Sequence, residues 1–133
     1  MSKKVINFWQ DHSSNFLKMA FSHDRRESIE NPDGYGKRTG DCGDTVEFFL
    51  TVFGGRIKSV SFKTNGCINT NACANTVAQL VEGKNLDDAW KITPDEIADY
   101  LETLPDENRH CAELAAGALY LALADIQNDS RTH

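Results

Sequence analysis

A run of period two, a pair of glycines and a second apolar run constrain this chain more than any other feature. Val46, Phe48, Leu50 and Val52 alternate with Glu47, Phe49, Thr51 and Phe53, the repeat of a strand with a buried face. Gly54-Gly55 follows as a hairpin turn. Ile57 to Thr64 reads as the return strand, with Val60 and Phe62 on one face. In an antiparallel hairpin the start of the first strand and the end of the second lie at the same edge. The flanking segments, Gly40-Asp41-Cys42-Gly43-Asp44 before and Asn65-Gly66-Cys67 after, are therefore expected to be neighbours.

Helical patterns surround the hairpin. Residues 3–22 carry Val5, Ile6, Phe8, Trp9, Phe16, Leu17, Ala20 and Phe21, several at helical spacing, and predict an amphipathic helix that packs on the domain or meets a partner. Residues 23–43 are polar and read as a loop or mobile linker, with Asn31-Pro32-Asp33-Gly34 as a turn. Thr70 or Asn71 is the expected cap of a helix running to about Glu82, and Asn85 that of a short turn through Trp90. Thr93-Pro94-Asp95-Glu96 combines a capping Thr, a Pro at the first position and an acid at the third, and predicts a helix to about Leu104. A final helix spans about Arg109 to Gln127. Strands before helices predict an α+β fold. The length of 133 residues fits one domain, residues 1–133, with an N-terminal helix and linker over 1–30 and a core over 31–127.

Composition narrows the function classes. The net charge of −6, with scattered Lys and Arg, argues against a nucleic-acid partner, because phosphate neutralisation needs clustered cations. No segment reaches the ~18 apolar residues of a membrane span. Polar residues interrupt the N-terminal stretch where a signal peptide would be apolar, so a cytoplasmic location is expected. Four cysteines in that compartment point to metal binding or catalysis rather than disulfides.

Three thiols lie at shaped backbone. Cys42 sits in a glycine-rich stretch, Cys67 follows Gly66, and Cys111 follows His110 at the head of the last helix. Thiolate and imidazole suit iron and zinc. Asp44 could add an oxygen ligand or accept a proton. Cys111 is expected to be exposed, with its thiolate favoured by the helix start. No CxxC pair is present, which argues against a zinc ribbon or a thioredoxin-like motif.

These residues occur in a recognisable order: Gly40-Asp41-Cys42-Gly43-Asp44, then Phe62-Lys63-Thr64-Asn65-Gly66-Cys67, then Val81-Glu82-Gly83-Lys84-Asn85-Leu86-Asp87-Asp88-Ala89, then His110-Cys111-Ala112-Glu113-Leu114-Ala115. Together they resemble the IscU/NifU-type iron–sulfur cluster assembly scaffolds, from about residue 31 to 127. The resemblance implies a small antiparallel sheet of about three strands packed against several helices. It also implies a scaffold, not an enzyme, which takes sulfur from a cysteine desulfurase, takes up iron, assembles a labile [2Fe–2S] cluster and passes it to acceptor apo-proteins. The implied ligands are Cys42, Cys67 and Cys111 with Asp44 or His110 as the fourth. Cys111 is the candidate persulfide acceptor, and Zn2+ is a possible occupant of the resting form. A monomer or weak dimer is expected. Two alternatives are a zinc-bound sulfur carrier that holds no cluster, and a structural zinc domain. His110 and the lack of an insertion between the second and third cysteines side with the scaffolds.

The chain departs from that pattern in three places. The family's Leu-Pro-Pro-Val-Lys site for a dedicated Hsp70 chaperone is replaced by Leu104-Pro105-Asp106-Glu107-Asn108, which predicts weak or no chaperone binding. Cys73 is additional, either a small core residue or a spare ligand or sulfur relay near Cys67. Ile68-Asn69-Thr70-Asn71 is more polar than the family's small-residue run. His12, His23 and His133 read as surface or terminal residues, and Trp9 and Trp90 as packing residues. The end near residue 133 favours general over nitrogenase-dedicated assembly.

Overall fold

The computed structural model describes residues 13–22, 24–41 and 43–132, with side chains to Ile126. Its order is α1 (Ser14–Phe21), β1 (Gly34–Thr39), β2 (Thr45–Phe53), β3 (Arg56–Thr64), α2 (Ile68–Val81), α3 (Leu86–Ala89), α4 (Pro94–Leu101), a 3-10 turn (Asp106–Asn108) and α5 (Arg109–Thr132). The α+β expectation is met, with a three-stranded antiparallel sheet in the order β1-β2-β3.

The hairpin forms as its pattern requires. Val46 pairs with Thr64, Phe48 with Phe62 and Leu50 with Val60, and the register slips once between Thr51 and Val52. Gly54 and Gly55 take φ of 62° and 78°, the paired positive values of a tight hairpin turn. Val46, Phe48, Leu50, Ile57, Val60 and Phe62 are all buried. Burying each of these large side chains contributes about 1.5–3 kcal/mol.

The segment read as a loop is in part a strand. Gly34–Thr39 pairs antiparallel with β2, Gly36 opposite Phe48 and Thr39 opposite Thr45. It lacks an apolar alternation because its inward positions are Gly34 and Gly36, both buried, while Tyr35, Lys37 and Arg38 are exposed. A side chain at Gly36 would collide with the backbone of Ala118 and Ala122. Helix α5 therefore lies directly on this strand, and close approach takes the place of apolar filling.

Helix α2 begins earlier than the capping residues suggest. Cys67, in extended conformation, is its N-cap, and the Asn71 N–H bonds the Cys67 carbonyl at 3.0 Å. Thr70 thus lies in the first turn rather than before it. Thr93 caps α4 as expected, accepting from the Glu96 N–H at 3.2 Å with Pro94 at the start. Asn85 likewise caps α3 by accepting from the Asp88 N–H at 2.8 Å.

Phe16, Met19 and Ala20 of α1 join the core. Its last carbonyls are taken by two buried asparagines of α2. Asn71 Nδ2 donates to Met19 O at 3.2 Å and Ala20 O at 3.1 Å, and Asn75 Nδ2 donates to Met19 O at 2.9 Å and Ser22 O at 3.0 Å. Trp90 stacks on Tyr120 with ring centroids 5.9 Å apart, in keeping with a packing role. Trp9, His12, His23 and His133 lie outside the described residues. Among the described residues, no helix is long and apolar enough to cross a membrane.

Candidate metal centre

The site is built at one end of the sheet. The connection from β1 to β2 is closed by Gly40 N–H to the Asp44 carbonyl at 2.9 Å and Gly43 N–H to the Gly40 carbonyl at 3.0 Å. The turn after β3 is tied to the start of β2. Asn65 Oδ1 accepts the Thr45 N–H at 2.7 Å, and the Thr64 hydroxyl donates to the Thr45 carbonyl at 2.7 Å. The turn holding Asp44 and the turn holding Cys67 are thereby neighbours. Helix α5 enters the same region with Cys111 in its first turn.

The three meet at the hydroxyl of Thr70. Its Oγ1 lies 2.9 Å from Asp44 Oδ2, 3.4 Å from Cys111 Sγ and 3.9 Å from Cys67 Sγ. Thr70 is fully buried. Asp44 is half-buried and Cys67 exposed. His110 is exposed and approaches from outside, with Nε2 3.7 Å from Cys111 Sγ and Nδ1 3.1 Å from the Glu107 carbonyl oxygen. An open cavity of about 470 Å³, lined by Arg38, Asp41, His110 and Glu113 among others, reaches this end of the fold.

Cys111 is not exposed as expected; only 1% of it reaches solvent. Packing of the α5 start beneath Thr70 outweighs the helix-terminus effect. Burial pushes the Cys111 thiol above its usual range, and hydrogen bonds from Thr70 and Asn108 pull against that. The neighbouring Cys67 and Asp44 charges push it further up. Among the described cysteines, Cys67 is the exposed one.

Cys73 is fully buried in α2. Its thiol is pushed well above the usual range, first by burial and then by the nearby sulfurs of Cys111 and Cys67. It therefore stays protonated near neutral pH, and its packing fits the core alternative.

The fold thus brings Asp44, Cys67 and Cys111 around one point and sets His110 beside Cys111. Cys42 lies outside the described residues. Among the described residues, no three His, Cys, Asp or Glu side chains form a group that could hold a metal ion. The donor types, soft sulfur with imidazole and carboxylate, suit iron or zinc. Asp44 and Cys111 are both engaged with the Thr70 hydroxyl. In the sequence Thr70 resembles a helix cap, which hides this contact; the clue is its spacing of three from Cys67, the actual N-cap, which sets the two side chains against each other at the helix start.

Three antiparallel strands with helices packed beside them, and Cys67 and Cys111 brought together at one end of the sheet, define a small α+β protein with a cysteine site at its sheet edge. The chain belongs to the NifU-like N terminal domain family, whose pattern it matches over residues 24–132. It is 37% identical over 98 residues to an iron-sulfur cluster assembly scaffold protein IscU of Archaeoglobus fulgidus, covering 73% of this chain and 64% of that one. It therefore spans somewhat under two thirds of that relative's length. It is 33% identical over 124 residues to the scaffold protein IscU of Escherichia coli, covering 83% of this chain and 96% of the other. Among solved structures, the N-terminal part of a NifU-like protein from Brucella abortus superposes with a TM-score of 0.71 at 19% identity, over 87% of this chain and 94% of that one. That last likeness concerns the fold alone.

Proposed function

We propose that this chain is a scaffold on which a labile [2Fe–2S] cluster is assembled from iron and desulfurase-derived sulfur, then handed to apo-proteins. The observation that supports this furthest is the convergence of Asp44, Cys67 and Cys111 on one buried hydroxyl. The chain's relatives bear the scaffold name. The cluster is cargo rather than a resident cofactor, so its holder must release it.

The residues suit that demand. Four thiolates hold such a cluster firmly. Cys42, Cys67 and Cys111 with Asp44 or His110 hold it less firmly, because one ligand is weak and exchangeable. Exposed Cys67 is open to a partner from the start. Cys111, the candidate persulfide acceptor, must first turn out from beneath Thr70. Its thiolate then attacks the outer sulfur of the donor's persulfide, and the donor's thiolate leaves. The desulfurase has already cleaved the carbon–sulfur bond, so this chain performs no turnover of its own. We place it in the cytoplasm, as one domain and a monomer or weak dimer, with a cysteine desulfurase and acceptor apo-proteins as partners. The zinc that the same donors could hold would keep the thiolates from oxidation between cycles.

Anaerobic reconstitution with ferrous iron, cysteine, a desulfurase and a thiol reductant, which supplies the electrons that turn persulfide sulfur into sulfide, tests the proposal. The expected product is a [2Fe–2S] absorption and Mössbauer signature that transfers to an apo-ferredoxin and is lost in Cys42→Ser, Cys67→Ser and Cys111→Ser. A colourless protein that accepts sulfur while keeping zinc would replace the proposal with the sulfur-carrier alternative.

A further inference from the structure

Thr70 presents one hydroxyl hydrogen to two acceptors. Asp44 Oδ2 stands 2.9 Å from Oγ1 and Cys111 Sγ 3.4 Å. A threonine hydroxyl donates a single hydrogen bond, so the two compete for it. The side chain is fully enclosed, where such bonds are hard to replace with water. The surrounding backbone also makes room for it. A Cβ on Gly66 would lie 2.6 Å from Thr70 Cβ, 2.7 Å from Oγ1 and 2.8 Å from Cγ2. Valine would fill the same volume without donating anything. A hydroxyl therefore stands where the packing alone asks only for a branched side chain.

We propose that Thr70 is a positioning residue that holds the Cys111 sulfur turned inward beside Asp44 until a sulfur donor or metal draws the two apart. Its meaning for function rests on the scaffold proposal, but the restraint itself is carried by the Thr70 contacts. When Asp44 turns away toward a ligand position, the freed hydrogen passes wholly to the Cys111 sulfur. When Cys111 leaves, the hydrogen stays with Asp44. Either move keeps the hydroxyl satisfied, so the exchange leaves no buried donor unpaired.

The test is pulsed alkylation of the metal-free full chain with iodoacetamide, read at each cysteine by peptide mass spectrometry. Each rate is followed across pH, and its plateau, where the thiol is fully ionised, is compared with that of the same cysteine in urea, so that a change of thiol acidity on losing the Thr70 hydrogen bond does not enter. Thr70→Val is expected to speed Cys111 about tenfold, the factor that corresponds to about 1.4 kcal/mol. Cys73 is expected to stay protected, which a general loosening of the fold would not allow. Thr70→Ser restores the hydroxyl and is expected to return Cys111 to the wild-type rate. Thr70→Ala serves as the second variant if the valine protein does not melt cooperatively. An unchanged Cys111 rate without the hydroxyl overturns the proposal, as does a serine variant as fast as the valine one, which would assign the effect to methyl packing. A wild-type chain that forms no cluster on reconstitution would overturn the scaffold proposal while leaving the alkylation result to stand or fall by itself.

Discussion

A Cβ on Gly36 would stand 2.3 Å from the backbone nitrogen of Ala122. The Ala118 carbonyl oxygen would lie almost as near, at 2.4 Å. Neither atom can swing aside as a side-chain end could, because both belong to the backbone of α5. This contact seats the long helix on the edge strand of the sheet.

Gly36→Ala should therefore destabilise the protein strongly although it adds one methyl group. Overpacking a close contact costs about 1–3 kcal/mol, and a backbone clash on both sides belongs at the upper end. The midpoint of urea unfolding should fall accordingly. Lys37→Ala, on the exposed face of the same strand, should stay within about 0.5 kcal/mol of wild type. Equal effects at the two positions would show that α5 can lift from β1 without loss.

Asn75→Ala should loosen α1 before anything else. The Asn75 side chain donates to both the Met19 and Ser22 carbonyls, and its own Oδ1 has no hydrogen-bond partner among the described residues. Asn71 Nδ2 also reaches these two carbonyls, at 3.2 and 3.3 Å, so the variant removes the shorter of two donors from each, at a cost of about 1 kcal/mol. Hydrogen exchange followed by mass spectrometry should show faster exchange in Ser14–Phe21 than the same variant produces in β2 and β3. A uniform rise across the chain would mean that α1 is integral to global unfolding rather than clasped onto it.

Those two contacts also explain what the sequence revealed and what it hid. The hairpin, the capped helix at Thr93 and the apolar last helix were legible because each rests on local periodicity or turn chemistry. The strand at Gly34–Thr39 was not, because its inward face carries glycines and its reason for existing is α5, more than eighty residues away. The neighbouring positions of the Asp44 and Cys67 turns followed from hairpin geometry. The burial of Cys111 did not follow, since only tertiary packing covers a helix start. Thr70 was visible as a helix residue but not as the meeting point of three side chains contributed by distant segments.

Cys73 predicts a pH dependence with a definite sign. Burial raises its thiol well above the ordinary range, so the folded chain keeps the proton more tightly than the unfolded chain. Above the unfolded value of about 8.5 the unfolded state loses its proton first, and stability falls as pH rises. Below that value the contribution is fully present. The metal-free protein should therefore lose stability as pH rises above about 8.5, and Cys73→Ala should lessen that slope while costing about 1 kcal/mol at neutral pH from the small cavity. Equilibrium unfolding at stepped pH measures both. If Cys73→Ala instead lowered cluster yield in a protein of normal fold, the spare-ligand alternative would return.

The segment Leu104–Asn108 should not bind the Hsp70 chaperone that recognises Leu-Pro-Pro-Val-Lys in the family this chain resembles. Leu104 is 9% exposed and belongs to the core, and Asp106–Asn108 form a 3-10 turn that presents Asp106 and Glu107 to solvent. Two exposed acids now stand where the motif carries Pro and Val. The turn can accept the missing residues. Pro105 is already extended, at φ −59° and ψ 142°, a conformation that tolerates a following proline. The triple variant Asp106→Pro, Glu107→Val, Asn108→Lys should therefore gain measurable affinity for the chaperone in a pull-down or fluorescence-anisotropy titration, with the wild-type chain as the weak reference. Asn108 also hydrogen-bonds the Cys111 thiol, so the double variant that keeps Asn108 separates chaperone affinity from any change at the sulfur. Tight binding by the wild-type chain would mean that this chaperone tolerates acids at the motif's second proline and valine, and that release by that route is intact here.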